Sequence, residues 1–376
     1  MCTCGAYGCL VHSGRARTAV VVAMLVAHAC VTSSSASPST ADAPSAALST
    51  SGNAGSLELA FAGDVHFTEH VAALLRVPKA HRLSQVRSLM QGADVSIVNF
   101  ESAIATSGPK APKIYHFKAP AAALDDLATA GIDVVSMANN HAVDYQEAGL
   151  RQTLTAIAPH QGSAARRPIV TGIGSNLAAA MAPAVVDVRG VRVAVFAATA
   201  VTDWTAAHHS ATKASPGVNS VTRSDAALVA AVKRWRPRVD VLVVMMHWGV
   251  EYTKCPTERD RTRARRLVNA GASIVIGAHP HIQQGMGMMG SSLVAYSLGN
   301  FVWFLNDRTD RASTGVLHVR VVDNKVAKAW WVATRTQDSG EPVKVTDARW
   351  LKRVRGELDS RRVCASLRIP PGWSVQ

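Results

Sequence analysis

The chain has 376 residues, 48% of them hydrophobic and 18% charged, a composition that excludes an intrinsically disordered protein and leaves room for one large domain or two small ones. Its formal net charge of +14 and pI of about 9.9 indicate either a generally basic surface or an anionic partner such as an envelope polymer, an acidic capsule or a phosphoester. No Lys/Arg run is interleaved with aromatic residues, so nucleic acid is not the expected partner.

Arg15 and Arg17 precede an apolar run over residues 18–29. That length suits the core of a signal peptide and is too short to span a bilayer. Small residues at Ala27 and Ala29 mark residues 1–29 as an export signal. Cys30 follows directly and leaves a lipid tether to the membrane open, although His28 stands where a lipobox carries a small residue. Residues 30–55 are mostly Ser, Ala, Thr, Pro and Gly, a linker with too little apolar surface to fold. Cys2, Cys4, Cys9 and Cys30 belong to this leading part, which leaves Cys255 and Cys364 in the folded part. In an exported protein these two are expected to pair.

One domain is expected over residues 56–337, with a tail over 338–376. Residues 57–62 read as a strand that ends in Gly63-Asp64-Val65-His66. A helix follows over 82–91, then a strand over 94–101 that ends in Glu101. Residues 121–130 form a helix stopped by Gly131. The strand over 133–138 runs into Asn139-Asn140-His141, and residues 146–158 place Leu150, Leu154, Ile157 and Ala158 on one helical face. Alternation of strand and helix implies parallel strands with covering helices. Another strand is read over 190–196, and a long loop over 201–219, where Trp204, His208, His209 and Lys213 are free to cover a site. A helix over 226–235 and a strand over 240–246 lead to His247-Trp248-Gly249. The helix over 257–270 carries Arg259, Arg261, Arg263, Arg265 and Arg266, either a solvated face or a dock for an acidic polymer. Residues 273–276 form a strand opening into Gly277-Ala278-His279-Pro280-His281. Residues 293–296 run into Ser297-Leu298-Gly299-Asn300-Phe301, and residues 315–322 and 326–335 form a hairpin about Asp323-Asn324, with one of Trp330 and Trp331 facing the core. Two sheets with helices outside are implied.

Pro280 fixes the backbone between His279 and His281. In an extended segment residues i and i+2 point the same way, so both imidazoles would face one point past a strand's carboxyl end, where open α/β sheets bind ligands. Asp64, His66, Glu101, Asn140, His141 and His247 share that placement. Singly, each has an ordinary account as a cap, a surface ion pair or a satisfied core histidine. Together they form the mix of oxygen and imidazole donors that hard and borderline cations require. No Cys stands among them, which excludes a thiolate zinc site.

The order Asp64-Val65-His66, Glu101, Asn140-His141, His247 and His279-Pro280-His281 resembles that of the calcineurin-like metallophosphoesterases. The surrounding residues resemble a narrower group, the CapA family of capsule-synthesis proteins, over roughly residues 57–305. These are Phe61-Ala62-Gly63-Asp64, Asn99-Phe100-Glu101, the run from Ala138 to Tyr145, His247-Trp248-Gly249-Val250-Glu251-Tyr252, Gly277 to Gln283, and Ser297 to Phe301. The resemblance implies an α/β fold of four layers, the αββα sandwich of the metallophosphoesterases, with two divalent transition-metal ions, Mn, Fe or Zn. Asp64, His66 and His281 would hold one ion, and Asn140, His247 and His279 the other. Glu101 would bridge them and His141 would act as general acid. Asp144 and Glu251 would orient ligands, and Asn300 would bind substrate or serve a turn. A poly-γ-glutamate-like capsule or envelope polymer, or a phosphoester, would be the substrate of a hydrolase or transferase working beside capsule-synthesis proteins. A non-catalytic assembly or anchoring factor and a general extracellular phosphoesterase remain the alternatives. The sequence departs from the broad pattern in using Glu101 rather than Asp as the bridge. It departs from many CapA proteins in carrying His66 where an apolar residue is common.

Overall fold

The computed structural model describes residues 55–158, 168–304 and 312–376. The expected export signal over 1–29, Cys30 and the linker up to residue 54 lie outside the described residues.

Leu57, Leu59 and Phe61 face one core while Ala60 and Ala62 face another. A strand buried on both faces has no polar side to alternate with, which is why Leu57–Val65 reads as an almost continuous apolar run. Val241–His247 divides in the same way. Val241, Val243 and Met245 enter the core shared with Leu57, Leu59 and Phe61. Leu242, Val244 and Met246 pack with Leu228 and Val232 of Ala226–Trp235 and with Ala264 and Leu267 of Glu258–Asn269. On the far side of the first sheet, Val86, Leu124, Leu127 and Leu150 close the second core with residues of Ser84–Met90, Ala122–Thr129 and Gln146–Ile157. The layers therefore run helix, sheet, sheet, helix, which is the expected αββα sandwich.

The first sheet orders its main strands as Pro342–Lys344, Lys325–Thr336, Ser313–Val322, Leu57–Val65, Val95–Phe100, Val134–Ser136 and Ile169–Thr171. Asn300–Val302 joins it beside Leu57–Val65, and Ser374–Val375 beside Lys325–Thr336. The second runs Met286–Met289, Ser292–Ala295, Ile274–Ala278, Val241–His247, Val191–Thr199, Ala184–Val188. Leu57–Val65 pairs in parallel with Val95–Phe100, and Val241–His247 with both of its neighbours, as the strand–helix alternation requires. Backbones approach unusually closely at Gly63, where a Cβ would stand 1.7 Å from the Gly299 carbonyl oxygen. Only glycine lets Asp64 and Asn300 lie side by side in adjacent strands.

The hairpin turns at Asp323 and Asn324, both at positive φ, 49° and 60°, the twist that matches two-residue hairpin loops. Trp331 is fully buried in the shared core, and Trp330 stacks on His318 at 5.1 Å. Residues 201–219 differ from the loop expected. Trp204–His208 is a short helix capped by Asp203, whose Oδ1 accepts from the Ala206 N–H at 3.0 Å, and Gly217–Val218 pairs with Ile173–Gly174. Five residues of helix and two of strand are too few for a periodic pattern. In this segment His208 stacks on Trp204 at 4.8 Å. The arginine-rich helix begins with a capping box between Thr257 and Asp260. Its cationic face is not wholly solvated: Arg263 is buried and donates to the Val221 carbonyl at 3.0 Å, and Arg266 pairs with Asp225 at 2.8 Å.

Residues 338–376 add an edge strand and the helix Ala348–Cys364, whose Val354 and Leu358 join the shared core. Cys364, the last residue of that helix, is bonded to Cys255 across 109 residues, with Cα atoms 5.8 Å apart. The chain-entropy cost that such a loop imposes on the unfolded state is worth about 4–5 kcal/mol. The Cys255→Ser/Cys364→Ser variant is therefore expected to unfold at a clearly lower denaturant midpoint than the oxidised protein; equal midpoints would show that the bond adds nothing. Among the described residues no helix is long and apolar enough to cross a membrane.

Candidate metal centre

Strand register brings the polar residues together. Asp64 lies beside Asn99 and Asn300 in the first sheet. His247 lies beside Ala278, the residue before His279, in the second. Glu101 follows Val95–Phe100 directly, and Asn140 and His141 lie in the turn after Val134–Ser136. The two sheets meet at this end. Asn99 Nδ2 donates to Asp64 Oδ1 at 2.8 Å and lies 3.2 Å from His247 Nδ1. His247 Nε2 is 2.7 Å from Asn140 Oδ1 and 3.4 Å from Glu101 Oε1. His281 Nδ1 is 3.3 Å from Asp64 Oδ2 and 3.0 Å from Asn300 Oδ1.

Among the described residues, ligand-capable atoms fall into three groups, each within 4.8 Å: Glu101, His247 and His279; Asp64, Glu101 and His281; Glu251, His279 and His281. Glu101 is shared by the first two. His66 is in none of them. Its Nδ1 lies 3.0 Å from the Thr68 N–H nitrogen and its Nε2 3.3 Å from that of Phe304, and its ring is stacked on Phe117 and edged by Trp303 and Phe304. The structure thus gathers Asp64, Glu101, Asn140, His247, His279 and His281, with His66 outside the ligand groups among the described residues.

His279 and His281 converge by a different route from the one expected. Their ring centroids are 5.7 Å apart, yet the backbone is left-handed at both, with φ of 95° and 58°, not extended. Such conformations cost on the order of 1–3 kcal/mol each outside glycine and persist where surroundings over-determine them. Here Trp248 N–H donates to Ala278 O at 3.1 Å, Tyr252 N–H to Pro280 O at 2.8 Å and Gln284 N–H to Ser297 O at 2.9 Å.

His141 occupies a separate niche. Its Nδ1 is 2.7 Å from Asp144 Oδ2, its Nε2 lies 4.0 Å from Glu101 Oε1, and its ring stacks on Phe117 at 4.1 Å. Asp144 also accepts from the Phe117 N–H at 2.6 Å and pairs with Lys113, which reaches the Asn140 carbonyl as well. Thr205 donates to that same carbonyl at 2.6 Å. Asn139 Oδ1 accepts from the His141 N–H at 3.1 Å, and its Nδ2 donates to the Phe100 carbonyl at 2.9 Å. Sequence reasoning does not place Asn99, Asn139, Lys113, Phe117 or Thr205 in the site. Asn99 and Asn139 sit inside the strand-end motifs, and that position was their only signal. Lys113 and Thr205 lie in irregular or very short segments and left none.

Burial sets the electrostatics. It holds His66, His141 and His279 well below the ordinary imidazole range and His247 at about 4, so these rings are in the neutral form that ligates metals. For His281 burial opposes the charged form, but the hydrogen bond to Asp64 and the nearby Glu101 carboxylate raise it to about 9. Burial would raise Asp64, yet the His281 hydrogen bond and charge lower it. Burial and then the Asp64 carboxylate push Glu101 well above the ordinary carboxyl range. Asp144 rises to about 6 through burial, against the pull of Lys113.

Both Glu101 oxygens and His279 Nδ1 are buried without a hydrogen-bond partner. Buried polar groups are almost always satisfied, and an unpaired buried carboxylate is expensive. Carboxylate, amide oxygen and imidazole without thiolate form a donor set suited to Mn, Fe or Zn. The residues present therefore fit a divalent metal.

Residues 58–304 match the family described as bacterial capsule synthesis protein PGA_cap. The chain belongs to this family. It is 30% identical over 310 residues to the capsule biosynthesis protein CapA of Bacillus anthracis, covering 80% of this chain and 72% of that protein. It is 29% identical over 252 residues to the PGA biosynthesis protein CapA of Bacillus subtilis, covering 66% of this chain and 63% of that one. Among solved structures it is similar to a novel phosphatase from Mycoplasma pneumoniae, at 13% identity and a TM-score of 0.42, over 79% of this chain and 97% of that one. The PGA_cap match ends at residue 304, so it contains every residue of the three ligand groups.

Proposed function

We propose that this chain is an exported envelope protein that holds two divalent transition-metal ions and acts as a hydrolase or transferase on an anionic polymer of capsule type or on a phosphoester. The observation that carries the reading is Glu101, whose partnerless buried oxygens belong to both ligand groups. Asp64, Glu101 and His281 form one set of donors; Glu101, Asn140, His247 and His279 form the other. Bound there, the ions would supply Lewis-acid activation of the scissile group and of water.

The chain's own residues do the remainder. Asp144 holds the proton of neutral His141 at Nδ1 and so fixes the ring, leaving an unprotonated Nε2 to take a proton from the attacking water and pass it on to the leaving group. Lys113 offsets the Asp144 charge, and Phe117 covers one face of the imidazole. Asn99 holds both Asp64 and His247 and so locks the two sheets' ligands in one arrangement. The names of the two Bacillus relatives favour capsule polymer over other anions and make capsule-synthesis proteins the natural partners. Residues 1–29 would direct export, with Cys30 as an optional tether.

The test is turnover of phosphomonoesters, phosphodiesters and γ-glutamyl amides by chelator-stripped and reloaded protein. Activity on one class that disappears on stripping and returns with Mn²⁺ or Zn²⁺ is expected. Activity indifferent to complete stripping would overturn the reading.

A further inference from the structure

We infer that Glu251 is a direct metal ligand that closes the centre from its solvent side. The inference rests on the metal reading above and extends it to a residue outside the strand-end pattern. A Glu251 carboxylate oxygen lies within 4.8 Å of a ring nitrogen of both His279 and His281. Those histidines belong to different donor sets, one with His247 and one with Asp64. Glu251 therefore spans the two sets as Glu101 does, with Glu101 fully buried and Glu251 exposed.

The loop that carries Glu251 is built to hold it there. Gly249 and Tyr252 flank it at positive φ, 89° and 59°. A Cβ on Gly249 would stand 3.2 Å from Pro280 Cγ, so the loop lies directly on the residue between the two histidines. Tyr252 N–H donates to Pro280 O at 2.8 Å, Thr253 Oγ1 to Val250 O at 2.7 Å, and Gln284 Nε2 to Thr253 O at 2.8 Å. Three residues beyond Tyr252, Cys255 is bonded to Cys364. A left-handed non-glycine residue within so many restraints marks a position where geometry is held for a purpose.

The donor sets are also unequal without it. Asn140 gives the His247 side a fourth donor, while His66, which would do so on the Asp64 side, is in none of the ligand groups among the described residues. Protein sites for zinc-like ions commonly supply carboxylate oxygen beside imidazole, and Glu251 offers one beside His281.

The test is Mn²⁺ titration of wild type, Glu251→Gln and His66→Phe against a competing chelator, read by electron paramagnetic resonance and elemental analysis. Glu251→Gln is expected to lose affinity for one ion by more than the roughly 10–100-fold that loss of an outer-shell partner costs, while His66→Phe retains wild-type affinity. A crystal of the Zn²⁺-loaded protein should place a Glu251 oxygen about 2.0–2.2 Å from an ion. Wild-type affinity in Glu251→Gln, or the loss falling on His66→Phe instead, would overturn the inference while the metal reading stands. A wild type that takes no Mn²⁺ would overturn both.

Discussion

His141→Ala is expected to lower turnover by about 10²–10⁴-fold, the usual worth of a positioned general acid or base, while the protein keeps its metal and its fold. The reason lies in what His141 touches. It belongs to none of the ligand groups; its Nδ1 is committed to Asp144 and its ring to Phe117. Removing it deletes a proton carrier and leaves every donor in place. Asn140→Ala, one residue earlier, should behave differently, because Asn140 Oδ1 lies 2.7 Å from His247 Nε2 within the donor set; it should lose metal and rate together. Parallel kinetics and metal analysis on the two variants check this. Full activity of His141→Ala on every substrate the wild type turns over would remove the general-acid role. A wild type that turns over nothing but restores an envelope defect, with His141→Ala restoring it equally, would identify a binding or assembly factor.

Glu101→Ala is expected to empty the whole centre, where Asp64→Ala should empty one side. Among the described residues Glu101 belongs to both the Asp64/His281 and the His247/His279 groups. Its effect on stability should have opposite signs with and without metal. In metal-free protein both Glu101 oxygens are buried without a hydrogen-bond partner, with the neutral His247 ring 3.4 Å from Oε1, and replacing such a group relieves a desolvation cost. Metal-free Glu101→Ala should therefore melt no lower than metal-free wild type. Added metal should stabilise the wild type, by about 4 kcal/mol for each site at a thousand-fold excess over Kd, and leave the variant where it was. Melting curves of both proteins, stripped and loaded, give all four values. A variant destabilised without metal, or stabilised by it as the wild type is, would show that Glu101 has another role.

The parts of this structure legible in the sequence are those where one residue's environment is set by its own element. Val241–His247 and Leu57–Val65 are buried on both faces and write that as apolar runs; Ala226–Trp235 shows its buried Leu228, Ala231 and Val232 at helical spacing. Strand-end residues were legible because a strand fixes where its last side chain stands. What could not be read depends on contacts between distant residues. Asn99 acts through His247, 148 positions away. His66 packs among Phe117, Trp303 and Phe304 and is in none of the ligand groups of the described residues. His279 and His281 looked extended because a proline separates them, whereas the loop's bonds to Trp248, Tyr252 and Ser297 hold them left-handed.

The central claim is that this fold was built around a metal pair, and the metal count of the wild type beside Glu101→Ala tests it most directly. Both proteins, loaded separately with Mn²⁺ and Zn²⁺ and then desalted, go to elemental analysis. The account predicts about two ions per wild-type chain, the number a bridging carboxylate serves, and almost none in Glu101→Ala. No retained metal in the wild type under either loading, or equal retention in the two proteins, would contradict it.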